Sequence, residues 1–125
     1  MVKTIVSMVL VSIILFGGAL YESSFIKRQF VEFDSLLEVL YEKVENETAI
    51  EEDVLSVQKN WLEKKKYLHV FIPHTEIKEV DLWLSESVTL VQNKKWEDAL
   101  SKVEVLRELA EQIPKTFTLK IENVL

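Results

Sequence analysis

The sequence predicts an all-α protein, with an N-terminal transmembrane helix continuing into an antiparallel bundle of about four helices. Three observations carry that expectation. Residues 4–21 contain no charged side chain. After them, apolar residues recur three and four apart in four successive stretches. The chain has only two glycines and two prolines, so turns are few and elements long.

The uncharged segment reads TIVSMVLVSIILFGGALY, from Thr4 to Tyr21, bracketed by Lys3 and Glu22. As a helix it reaches about 27 Å at about 1.5 Å per residue, close to the hydrocarbon thickness of a bilayer. Ser7 and Ser12 are too few to make the polar stripe of a soluble core helix. A cleaved signal peptide is the competing reading, because Gly17, Gly18 and Ala19 offer small residues at cleavage spacing. The helical pattern runs on from Tyr21 through Val44 without a stop. The expectation is therefore a retained anchor over residues 1–21 and a bundle domain over residues 22–125. Lys3 and the terminal amine on one side nearly balance Lys27 and Arg28 on the other. A three-residue tail has no room for a domain, so the expectation is the N-terminus inside and the rest outside a cell membrane crossed once.

Ile26, Phe30, Phe33, Leu37, Leu40 and Val44 follow at 4, 3, 4, 3 and 4, the stripe of a helix packed in a bundle. Asn46 stops it, and Thr48 with Glu51 forms a capping-box pattern for the next helix. That second helix is expected over 49–69, with Ile50, Val54, Val57, Trp61 and Leu68 on its face and Pro73 closing it. The third is expected over 75–92, with Ile77, Val80, Leu84, Val88 and Val91 facing the core. The fourth is expected over 96–112, with Trp96, Ala99, Val103, Leu106, Ala110 and Ile113, and Pro114 ends it. The tail from Thr116 is read as a helical turn packed on the bundle, since a lone strand would lack a partner. Short connections make neighbouring helices antiparallel.

Composition excludes several functions. There is no cysteine, hence no disulfide, thiolate metal site or cysteine nucleophile. A net charge of −6 disfavours nucleic acid as a partner. Residues 22–125 hold 14 basic and 21 acidic side chains, a balance compatible with export. Two glycines cannot build a phosphate loop, and no Gly-x-Ser-x-Gly elbow exists.

Both histidines lie in YLHVFIPHTEI, Tyr67 to Ile77. His74 with Glu76 and Glu79 offers three candidate metal ligands, and Glu76 and Glu79 share a helix face. The Glu-x-x-His pattern of di-iron bundles is absent, because Lys66 and Phe71 stand three residues before the histidines. A capping role is the simpler account: His74 and Thr75 at the start of the third helix, His69 at the end of the second. In WLEKKKY, Lys64, Lys65 and Lys66 fan around the helix, which predicts a solvated face whose stems cover Trp61. Trp61 and Trp96 read as core. Leu36, Val39, Leu82, Trp83 and Leu90 lie off the stripes, and Leu82, Trp83 and Leu90 are the candidate interaction residues.

Several of these residues also resemble a family. Trp61 followed by Lys64, Lys65 and Lys66, then HTEI from His74 to Ile77, Ile113 with Pro114, and the ending ENVL from Glu122 to Leu125 are similar to a group of short bacterial proteins, mainly from spore-forming Gram-positive bacteria, classed as a domain of unknown function. The resemblance implies an N-terminal hydrophobic helix and an acidic helical domain. Trp61, His74, Glu76, Ile77 and Pro114 are its signature positions, and it implies no activity or cofactor.

The expected function is a non-catalytic, membrane-anchored accessory protein. It would touch the bilayer through residues 4–21 and bind a membrane-protein partner. The alternatives are a metal-binding or hydrolytic module centred on His74, Glu76 and Glu79, and a secreted ligand-sensing bundle.

Overall fold

The computed structural model of the chain describes residues 1–124, and the side chains of residues 1–123. Four helices follow in order: α1 Val2–Glu45, α2 Glu51–Leu68, α3 His74–Gln92 and α4 Trp96–Val124. The structure is 89% helical, with no strand among the described residues. Each helix packs on its two neighbours around the bundle, and the most extensive interface joins α1 to α4.

α1 is unbroken over 44 residues, about 66 Å at about 1.5 Å per residue. Its first half is long and apolar enough to cross a membrane, and none of that window is buried. Its second half supplies Ile26, Phe30, Phe33, Leu37, Leu40 and Val44 to the core, all six buried as their spacing predicts. Opposite them α3 buries Ile77, Val80, Leu84 and Val91, and α4 buries Ala99, Val103, Leu106, Ala110 and Ile113. Trp61 of α2 is fully buried between the rings of Phe30 and Phe33, with centroids 6.2 and 5.0 Å away.

Four expectations are corrected. Ile50 is exposed, because it stands at the N-cap of α2 rather than on its core face. Ser87, not Val88, fills the core position of α3; its hydroxyl donates to the Trp83 carbonyl at 2.8 Å, so the buried polar atom is satisfied. The cap of α2 is shifted as well. Thr48 donates back to the Lys43 carbonyl, and it is Asp53 whose carboxylate accepts from the Ile50 N–H at 2.9 Å. Burial pushes the Asp53 carboxyl up, but the Ile50 N–H and the Lys43 ammonium outweigh it and leave the group below its ordinary value. The stability Asp53 adds is thus present above its unfolded value and lost as pH falls through the folded one.

The fourth correction is Pro114, which does not end α4; the helix runs through it to Val124. A proline inside a helix forfeits one backbone hydrogen bond and costs about 3 kcal/mol. Tertiary contacts offset that cost. Phe117 meets Phe71 edge to face at 6.2 Å, and the Thr118 hydroxyl lies 3.1 Å from that of Ser23 in α1. Thr118 also donates to the Pro114 carbonyl at 3.0 Å.

The α1–α2 and α3–α4 turns share one design. Glu47 N–H bonds the Val44 carbonyl at 3.0 Å and Thr48 N–H the Lys43 carbonyl at 2.8 Å. Lys94 and Lys95 repeat this on Val91 and Leu90, at 3.0 and 2.9 Å. In each pair the first residue is left-handed, with φ 56° at Glu47 and 55° at Lys94. Glycine normally fills that position, yet both glycines lie in α1 at Gly17 and Gly18. Glu47→Gly and Lys94→Gly are each expected to stabilise the fold by about 1 kcal/mol, because a side chain is strained there. Thermal melts of the full chain in detergent check this; a lowered melting temperature in either variant would contradict it.

Candidate functional site

Two ends of the bundle differ in chemistry. At the end distant from the apolar half of α1 lie the two left-handed turns and the helix ends beside them, with Glu45, Glu47, Glu51, Glu52, Glu97 and Asp98, and with Lys94 and Lys95 in the α3–α4 turn. At the near end lie the α2–α3 connection, residues 69–73, and the last turns of α4. The Ser23–Thr118 and Phe71–Phe117 contacts put both at the level of Ser23.

The structure takes the three lysines of WLEKKKY in three directions. Lys64 is buried, which corrects the expectation of a solvated face. Its ammonium donates to Gln29 Oε1 at 3.0 Å and Glu32 Oε2 at 2.7 Å, tying α2 to α1. That ammonium, by hydrogen bond and by charge, holds the Glu32 carboxyl below its ordinary value. Lys65 pairs with Asp81 of α3 at 2.8 Å, and the other oxygen of Asp81 accepts from Trp61 Nε1 at 2.8 Å. Lys66 is exposed. Trp61 and Ile77 of the signature positions are therefore core, and Lys64 and Lys65 clamp α2 between α1 and α3.

His74 is exposed and Glu76 half-buried, as Pro114 is. The N-cap of α3 is Pro73, with no side-chain hydrogen bond at the cap, which corrects the capping role expected of His74 and Thr75. Pro73 fixes an extended entry to the helix, and His74 becomes its first helical residue. His69 does sit at the C-terminal end of α2, its Nδ1 3.2 Å from the Lys65 carbonyl. No three His, Asp or Glu side chains converge as a metal ion requires among the described residues. His74→Ala is expected to change stability by less than about 0.5 kcal/mol, as at an exposed site. A melt shows it, and a loss of several degrees would reveal a partner for the imidazole.

Of the candidate interaction residues, Leu82 is exposed, whereas Trp83 and Leu90 are half-buried against the core. The Lys102 ammonium covers the Trp83 ring, 4.4 Å from its centre. The structure thus leaves Leu82 as the open member of the three. A groove missed by sequence reasoning runs between α1 and α4, about 600 Å³ in volume, walled by Phe30, Val31, Ala110, Pro114 and Leu119 with Lys27 and Lys115 beside it. Its walls come from helices some 80 residues apart in sequence, and only the α1–α4 register brings them together.

A family model described as a domain of unknown function (DUF4363) matches residues 20–124. The chain belongs to this family. The match takes in the whole bundle and begins at the end of the uncharged segment. No curated protein and no solved structure matches the chain. Neither the DUF4363 assignment nor the arrangement of side chains gives a positive sign of catalysis.

Proposed function

We propose that this DUF4363 protein is a non-catalytic, single-pass membrane protein whose helical bundle serves as an accessory subunit to a membrane-protein partner. The observation that carries the reading is α1 itself. One unbroken helix is bare and apolar in its first half and central to the bundle core in its second. Cleavage after Ala19 would cut hydrogen-bonded helix four residues before Ser23, where α4 is already attached. Proteolysis favours exposed, flexible loop tips, which supports a retained anchor; the reading puts the N-terminus inside and residues 22–125 outside. A rigid bundle held at a bilayer, with an apolar side chain free at Leu82, suits contact with a neighbouring membrane protein.

The test is purification of the full chain from its native membrane in mild detergent, followed by N-terminal sequencing and mass spectrometry. The expected result is an N-terminus upstream of Thr4 and a stoichiometric membrane-protein partner that Leu82→Asp releases without lowering the melting temperature. A mature N-terminus near Leu20, or a chain that purifies alone, overturns the reading.

A further inference from the structure

The geometry points to a second membrane contact besides the anchor: the near end of the bundle, formed by the α2–α3 connection and the last turns of α4, is a platform that rests on the lipid surface. This deepens the proposed function and rests on its anchor.

Three internal contacts set the height of that end. The Ser23–Thr118 hydroxyl contact aligns α4 with α1. Ser23 is only two residues above Tyr21, the last residue of the uncharged segment, a rise of about 3 Å. The six residues of α4 after Thr118 descend about a further 9 Å, past Tyr21. A cavity confirms the descent, because Ile121 and Glu122 share its wall with Phe16 and Leu20 of the apolar half of α1. α2 reaches the same level independently. Lys64 is fixed at Gln29 and Glu32, and Phe71 meets Phe117, the neighbour of Thr118.

The headgroup layer of a bilayer is several ångströms thick on each side, so both segments lie at its depth. Their side chains suit it. Tyr67 is 65% exposed, Val70 71% and Leu119 58%, on two separate pieces of chain at one end of the bundle. Tyrosine is favoured at that depth for its apolar ring and polar tip. Lys66 and Lys120 extend long apolar stems from the same end. The opposite end carries Glu45, Glu47, Glu51 and Glu52 around the α1–α2 turn, which an anionic bilayer repels. An interfacial element buries its apolar face about 5–10 Å into the headgroup boundary, the depth that the end of α4 reaches.

The absence of cysteine makes the test direct. Single cysteines at Val70, Leu119, Val9 and Lys94 receive a nitroxide, and the full chain is reconstituted in vesicles of phosphatidylethanolamine and phosphatidylglycerol. Collision with oxygen is compared with collision with a water-soluble nickel chelate. Labels at 70 and 119 are expected to favour oxygen over nickel at least about threefold relative to the label at 94, with the label at 9 deeper still. If 70 and 119 behave like 94 while 9 reports hydrocarbon, the platform is wrong and the anchor stands. If 9 itself reports water, the anchor reading fails and the platform with it.

Discussion

Trp61→Ala is expected to destabilise the fold by about 3–5 kcal/mol, the cost of removing a large buried aromatic side chain. Trp61 is the largest fully buried side chain of the bundle. It fills the space against Phe30 and Phe33 of α1 and donates to Asp81 of α3, so its loss loosens two interfaces at once. The cavity would not collapse readily, because α1 is held along its other side by α4. Trp61→Phe separates the contributions. It keeps a ring but leaves one Asp81 oxygen to Lys65 alone or to water, and about 1–2 kcal/mol is expected. Chemical denaturation of the full chain in detergent, followed by circular dichroism, measures both. A Trp61→Ala loss below about 1 kcal/mol would show that Trp61 is not a keystone of the core.

Lys64 gives the second large effect, and its sign depends on the replacement. Lys64→Glu puts a carboxylate in a buried position facing Glu32, in place of the ammonium that Glu32 accepts from. An uncompensated buried charge costs about 3–5 kcal/mol. Lys64→Met keeps the stem against the core and removes only the ammonium. It is expected to cost much less than Lys64→Glu, because Glu32 stands well out in solvent and no buried charge is left unpaired. Equal losses in the two variants would mean that the ion pair, not the stem, holds α2 on α1.

The sequence made the helices legible because helix periodicity is a local property. Every apolar residue assigned to the α1 stripe is buried, since a spacing of three and four has one geometric meaning. Ser87 was hidden from that logic: a hydroxyl reads as polar until its bond to the Trp83 carbonyl is seen. Pro114 misled because the rule for proline is local, whereas the contacts that carry α4 onward come from Ser23 and Phe71. Lys64 was read with the charged run around it, although its partners Gln29 and Glu32 lie more than thirty residues away. The candidate site was the least legible part. Leu82 can be found as an off-stripe leucine, but the groove and the near end of the bundle exist only once α1, α2 and α4 are in register.

The unbroken α1 also has a mechanical meaning. With no hinge between its apolar half and Glu45, the helix would act, under the proposed anchoring, as a lever pivoting at the bilayer surface. The arm above Tyr21 is 24 residues, about 36 Å, so a change of about 10° in helix tilt sweeps the acidic tip through about 6 Å. Transmembrane helices answer changes in bilayer thickness by tilting over ranges of this size. A thinner or thicker membrane would therefore be read out as a sideways displacement at Glu47 and Lys94, far from any lipid.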